Sequence, residues 1–199
     1  MTKPIKQLFI DTETTGVDER VNSVIQIAGI MEITDSPYEE GDVVEEFNIL
    51  FKPFEGAVIE PRAVMTHGIT VEQMNQFPDF KESKKQLTKI MQNSVDQYNK
   101  LDKFNFIGFN GTFDFRFLHS TFERCGDRYC GSYVYFPPIE VATIAGVVLM
   151  GERHKMPNFK LGTVAEHVGV EVEGDLHDAL TDIRLTRKLY YHFAKQMKK

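Results

Sequence analysis

The sequence is short of cysteine, of long apolar runs and of positive charge, and each shortage closes off a class of protein. Cys125 and Cys130 are the only cysteines among 199 residues. No second Cys/His pair completes a zinc-site spacing, and a reducing, cytoplasmic compartment is the simplest expectation. No apolar stretch approaches the ~20 residues that cross a bilayer. The opening Met1-Thr2-Lys3-Pro4-Ile5-Lys6 leads into a strand and lacks the apolar core of a signal peptide. No membrane partner is expected. The formal net charge of −6 argues against gripping long nucleic-acid tracts by bulk electrostatics, although it allows a protein that holds only a strand end. Internal repeats, low-complexity tracts and linkers are also missing.

What is present suits one core. A hydrophobic content of 42% over 199 residues supports a single domain spanning 1–199. Basic residues gather in two places, Lys81, Lys84, Lys85 and Lys89, then Arg184, Arg187 and Lys188. Each group by itself reads first as a solvated helix face.

Leu8-Phe9-Ile10 is a short apolar run, which predicts a buried strand over 6–11. Further strands are predicted over 23–33, 43–52 and 104–109. Thr70-Val71-Glu72-Gln73 has the form of a capping box opening a short helix. Three- and four-residue apolar spacings predict helices over 80–98, 112–125, 140–149 and 159–167, the last stopped by Gly169. A final helix is predicted from Asp178 to about 195, with Leu185, Leu189 and Phe193 on one stripe. Strands first, then helices alternating with strands, indicate an α/β fold with a mixed sheet flanked by helices.

Four acids and one histidine carry the chemistry. Asp11 and Glu13 stand two apart in Asp11-Thr12-Glu13-Thr14-Thr15-Gly16, so on a strand they share a face at its carboxyl end. An ordinary strand closing in a polar turn would look the same. Asp114 follows a strand at the start of a helix, where the helix dipole alone would favour an acid. His177 and Asp182 are five apart and would diverge by more than about 90° on one helix. With Asp178 as N-cap, His177 falls on the preceding loop and Asp182 on the first turns. Carboxylates gathered in an apolar setting need a compensating cation, and an all-oxygen donor set favours two Mg²⁺ or Mn²⁺ ions. The parts describe two-metal hydrolysis of a phosphodiester, the ions about 3.5–4 Å apart and His177 acting as general base.

These segments resemble the DEDDh 3′–5′ exonucleases, which include the proofreading subunits of bacterial replicative polymerases. Asp11-Thr12-Glu13-Thr14-Thr15-Gly16 is similar to the first motif of that family. Asn110-Gly111-Thr112-Phe113-Asp114 is similar to the second and His177-Asp178-Ala179-Leu180-Thr181-Asp182 to the third. Thr66-His67-Gly68-Ile69-Thr70 is similar to a segment that lies against the terminal nucleotide. The resemblance runs from Phe9 to about Leu189. It implies an RNase H-like fold with a five-stranded mixed sheet flanked by helices. It implies metal ligation by Asp11, Glu13, Asp114 and Asp182, with His177 as base. It further implies that Thr14, Thr15, His67, Asn110 and Phe113 hold or stack on the terminal nucleotide.

Two stretches depart from the family pattern. Glu140-Val141-Ala142-Thr143 stands where many relatives have an Asp-Thr pair. The segment 125–138, with Tyr129, Tyr133, Tyr135 and Phe136, is longer than a minimal connection and reads as a local mini-core or a lip over the groove. The expected activity is release of nucleoside 5′-monophosphates from single-stranded DNA 3′ ends. RNA or short oligoribonucleotides are the alternative substrate, and a non-catalytic nucleic-acid-binding module is a third reading. A polymerase partner is compatible with the family, although the chain ends soon after its last predicted helix and no tethering domain is visible.

Overall fold

The apolar run Leu8-Phe9-Ile10 is fully buried at the centre of β1 (Ile5–Thr14). The computed structural model describes residues 4–174 and 176–198. β1 pairs antiparallel with β2 (Val24–Thr34), which pairs antiparallel with β3 (Asp42–Leu50). The chain then crosses through α1 (Pro61–His67), α2 (Val71–Met74) and α3 (Phe80–Gln92). It returns as β4 (Asn105–Gly108), parallel to β1, and after α4 (Gly111–Arg124) as β5 (Ile139–Glu140), parallel to β4. α5 (Val141–Val148), α6 (Leu161–Val168) and α7 (Ala179–Met197) complete the chain. The result is a five-stranded mixed sheet, order β3-β2-β1-β4-β5, flanked by helices.

The two-residue period of β1 sorts its side chains between two cores. Leu8 and Ile10 pack with Leu87 and Met91 of α3 and with Phe117 and Phe122 of α4. Phe9 packs on the other face with Val141, Ala145, Ile183, Leu189 and Tyr190, from α5 and α7. Residues 9, 11 and 13 therefore point towards α7, and residues 8, 10 and 12 towards α4.

Predicted and observed elements differ in three places. α3 stops at Gln92 rather than 98. Beyond it, the Asp96 N–H bonds Asp102 Oδ2 and the Tyr98 N–H bonds Asp96 Oδ1, so short polar side chains take up backbone donors that a helix would use. Val95 is still buried, which accounts for the apolar spacing. α1 was not expected; Pro61 at its start and Gly68 at its end, with φ 72°, are the punctuation that marks it. β5 is two residues long, and Glu140 closes this strand instead of opening the helix, which starts at Val141.

Asp178 caps α7 as expected, its side chain accepting from the Thr181 N–H, and Leu185, Leu189 and Phe193 are buried. The Thr70 capping box is complete, with Thr70 and Gln73 each accepting from the other's backbone. Tyr133 is buried and bonds Gln92 and Gln97, whereas Tyr129 and Phe136 are exposed, so 125–138 is part core and part surface.

Candidate active site

Because odd positions of β1 face α7, Asp11 and Glu13 meet Asp182 from the first turn of that helix. One carboxylate oxygen from each of the three lies within 4.8 Å of the others. All three are half-buried. Burial, followed by repulsion from Asp114, Asp182 and Glu13, drives the Asp11 pKa well above its ordinary value. Burial and the charge of Asp182 raise Glu13 from 4.5 to about 8. Burial also raises Asp182, opposed by the His177 backbone N–H, which lies 3.4 Å from both of its oxygens.

Asp114 approaches from the α4 side and stands outside the close group of three. Its Oδ1 accepts from Thr12 Oγ1 at 2.8 Å, as the position of Thr12 on the α4 face of β1 requires. Gly108, at the end of β4, makes room for it: a Cβ there would sit 3.0 Å from Asp114 Oδ2 and 2.9 Å from the Gly111 Cα. Buried Asp114 is itself raised by desolvation, and its charge is the largest electrostatic influence on Asp11. Such a set of oxygen donors, crowded and held above its ordinary pKa, has the chemistry of a divalent-cation site.

His177 lies on the loop before α7, exposed, with φ 71°. That left-handed conformation turns its N–H onto the Asp182 carboxylate, while the exposed side chain is not part of the close group of three. Asp178, expected only as a cap, is a fifth acid near the group: its charge raises Asp11, Glu13 and Asp182, and its Oδ1 accepts from Gln26 Nε2 at 3.1 Å.

Beside the carboxylates is a groove of about 400 Å³ lined by Glu13, Thr14, His67 and Phe113, with Arg62 and Thr66 from α1. His67 Nδ1 accepts from the Ile69 N–H at 3.0 Å, which places any ring proton of the neutral form on Nε2. That atom is buried and has no hydrogen-bond partner among the described residues. Burial lowers the His67 pKa, the Thr14 backbone opposing in part. Phe113 is half-buried, its ring centroid 4.9 Å from that of Phe117. Asn110 precedes α4 without a side-chain capping bond and is exposed beside Asp114.

Thr15 departs from the expectation. It is fully buried, its hydroxyl donating to the Val58 carbonyl at 2.7 Å and accepting from the Ser23 N–H at 2.8 Å. Thr15 therefore braces the turn and does not face the groove. Arg62 was missed because α1 was missed, whereas Thr66 was noted only as part of the segment that carries His67. Glu140 was noticed only as a departure; it accepts from the Thr112 N–H at 3.1 Å and from Thr143 Oγ1 at 3.1 Å, which ties β5 to the start of α4.

A mixed five-stranded sheet that collects carboxylates at the end of its first strand defines the RNase H-like nuclease class. Residues 8–190 match the RNase T family of exonucleases, and the chain belongs to that family, the DEDD 3′–5′ exonucleases. It is 28% identical over 192 residues to a PolC-type DNA polymerase III of Thermotoga petrophila, covering 96% of this chain and 12% of that protein. It is 27% identical over 202 residues to ribonuclease T of a Shewanella species, covering 96% of this chain and 82% of the relative. A zinc-bound complex of Escherichia coli exonuclease I with single-stranded DNA shares the fold, with a TM-score of 0.77 at 22% identity over 99% of this chain and 42% of that one. The chain thus spans a small part of the polymerase and less than half of exonuclease I.

Proposed function

We propose that this chain is a single 3′–5′ exonuclease domain that hydrolyses the terminal phosphodiester of a single-stranded nucleic acid and releases nucleoside 5′-monophosphates. The observation that carries this reading is the close group of Asp11, Glu13 and Asp182 beside a nucleotide-sized groove. Asp11, Glu13 and Asp182 would hold divalent cations, with Asp114 completing the set from the α4 side, and the all-oxygen donors favour two Mg²⁺ or Mn²⁺ ions. When bound, such ions activate water and stabilise developing charge on the phosphate and the leaving oxygen.

The protein's own groups do the rest. His177, on the loop before α7, takes the proton of the attacking water, and its bond to Asp182 through the backbone keeps the loop in register with the ligands. His67 Nε2–H is a buried donor on the wall of the groove that would reach an acceptor on the terminal nucleotide, and Phe113 lines the same groove. Thr14 and Asn110 border the nucleotide, and Thr15 braces the turn that follows Thr14.

DNA is the favoured polymer, in keeping with the PolC-type polymerase and with the exonuclease I complex on DNA. RNA is the second reading, because the similarity to ribonuclease T extends over 82% of that relative. A replicative polymerase as partner follows the first reading. No helix among the described residues is long and apolar enough to cross a membrane, and Cys125 and Cys130 are free, in keeping with a reducing cytoplasm.

The test is a time course with Mg²⁺ on matched 5′-labelled DNA and RNA oligomers. Stepwise shortening from the 3′ end, faster on DNA, is expected. Equal activity in the Asp11→Ala, Glu13→Ala double variant would sink the mechanism, and faster RNA shortening would move the substrate to RNA.

A further inference from the structure

The two basic clusters are treated oppositely by the fold. On α7, Arg184 pairs with Glu46, Arg187 with Glu32 and Glu40, and Lys188 with Glu173. On α3, Lys84 is buried, pairs with Asp127 and lies over the Phe122 ring. Lys81, Lys85 and Lys89 are exposed and make no ion pair among the described residues. Their i, i+4 spacing puts them on one stripe, about 6 Å apart along the helix axis. With Lys84, Thr88 and Gln92 they line a hollow of about 450 Å³ whose walls include no carboxylate. In a chain of net charge −6, such a hollow is unusual, and it suits a polyanion.

Between this hollow and the site lies a series of concavities that share lining residues. Lys81 also lines an adjoining concavity of about 800 Å³ with Lys52, Phe54 and Arg124. Arg124 lines the next, with Phe115, Arg116 and His119. Arg116 and Arg20 then lead to Val17, and Val17 is part of the wall of the nucleotide groove. Shared residues connect the carboxylates to the lysine stripe, and every stretch carries a cation. Acids also lie along the way, where Asp18 pairs with Arg20, Glu19 faces Arg116, and Asp79 and Glu55 line the middle. Bare positive charge is therefore concentrated at the far end.

We infer that a single nucleic-acid strand whose 3′ end enters the carboxylate site follows this row of concavities and is anchored on its 5′ side by Lys81, Lys85 and Lys89. The inference rests on the proposed exonuclease reading and adds to it a second point of attachment, open only to longer strands. A strand fits better than an acidic protein because its phosphates recur along a narrow path, as the cations do.

The test compares wild type with the triple variant Lys81→Gln, Lys85→Gln, Lys89→Gln, all at exposed positions that leave the core untouched. Two DNA strands are used, a trimer and an oligomer of about 20 nucleotides, with matched RNA as a second arm. Binding of 5′-labelled strands is read by fluorescence anisotropy in EDTA, and hydrolysis in Mg²⁺. For the long strand, the variant is expected to bind about tenfold or more weakly, with the slope of log K against log salt reduced by about 2 for three lost phosphate contacts. KM should rise with kcat unchanged, and the trimer should be unaffected. Unchanged long-strand binding and salt slope overturn the inference, and so does equal weakening of trimer and long strand. Failure of the exonuclease reading shows separately, as absence of hydrolysis on every substrate, and the anisotropy comparison still decides the track.

Discussion

Asp11 carries the strain of the site at the scale of one residue. Its carboxylate is buried among Asp114, Asp182, Glu13 and Asp178, and each of them raises its pKa. Asp11→Asn keeps the shape and removes the charge. The variant is expected to lose about 10³-fold or more in activity, while its metal-free form melts at a higher temperature than metal-free wild type. Thermal melts in EDTA check the second half, and a lower melting point would mean that repulsion is not what burdens the site. His177 offers a cleaner test of the base. Its φ of 71° disfavours most side chains, but asparagine tolerates that conformation. His177→Asn should therefore retain stability and lower kcat by about 10²–10⁴-fold with little change in KM. A variant with near-normal kcat would assign the proton to another group.

At the scale of elements, the junction of β4 with α4 decides where Asp114 sits. Gly108 ends the strand, and a methyl group there would press on Asp114 Oδ2, the Gly111 Cα and, at 3.1 Å, the Ile10 carbonyl. Gly108→Ala is expected to cost about 1–3 kcal/mol and to lower kcat about 10²-fold by displacing the carboxylate. Gly131→Ala is the control, since its added Cβ would meet nothing within 4 Å. Denaturant melts and steady-state kinetics on the pair separate the two effects. Equal kinetics in both variants would show that the junction has slack.

For the whole molecule, the metal-free fold should respond to pH with a definite sign. Glu13 is raised from 4.5 to about 8. Between those values the unfolded chain has lost this proton and the folded chain keeps it. Folding therefore takes up a proton, and metal-free stability declines as pH rises through the window. Cation binding needs the deprotonated carboxylates and opposes the decline. The gap in melting temperature between Mn²⁺-loaded and EDTA-treated protein should widen from about pH 5 to about pH 8. A constant gap would place metal binding away from these acids.

The sequence by itself determined the parts that depend on neighbours along the chain. Alternation in β1 put Asp11 and Glu13 on one face, the Asp178 cap separated loop-borne His177 from helix-borne Asp182, and the three motifs together indicated the family. Short elements escaped it: α1 and β5 hold too few residues for a period to register, and α3 ends where polar side chains outside its apolar stripe capture the backbone. Only the tertiary structure decided that Asp114 comes from the opposite face of the sheet and is held by Thr12, that Thr15 is consumed in bracing a turn, and that one basic cluster is neutralised while in the other only Lys84 is paired among the described residues. The physical reason is that a side chain's partner is set by the packing of distant elements. A local pattern can say which way a residue points, but not what it meets there.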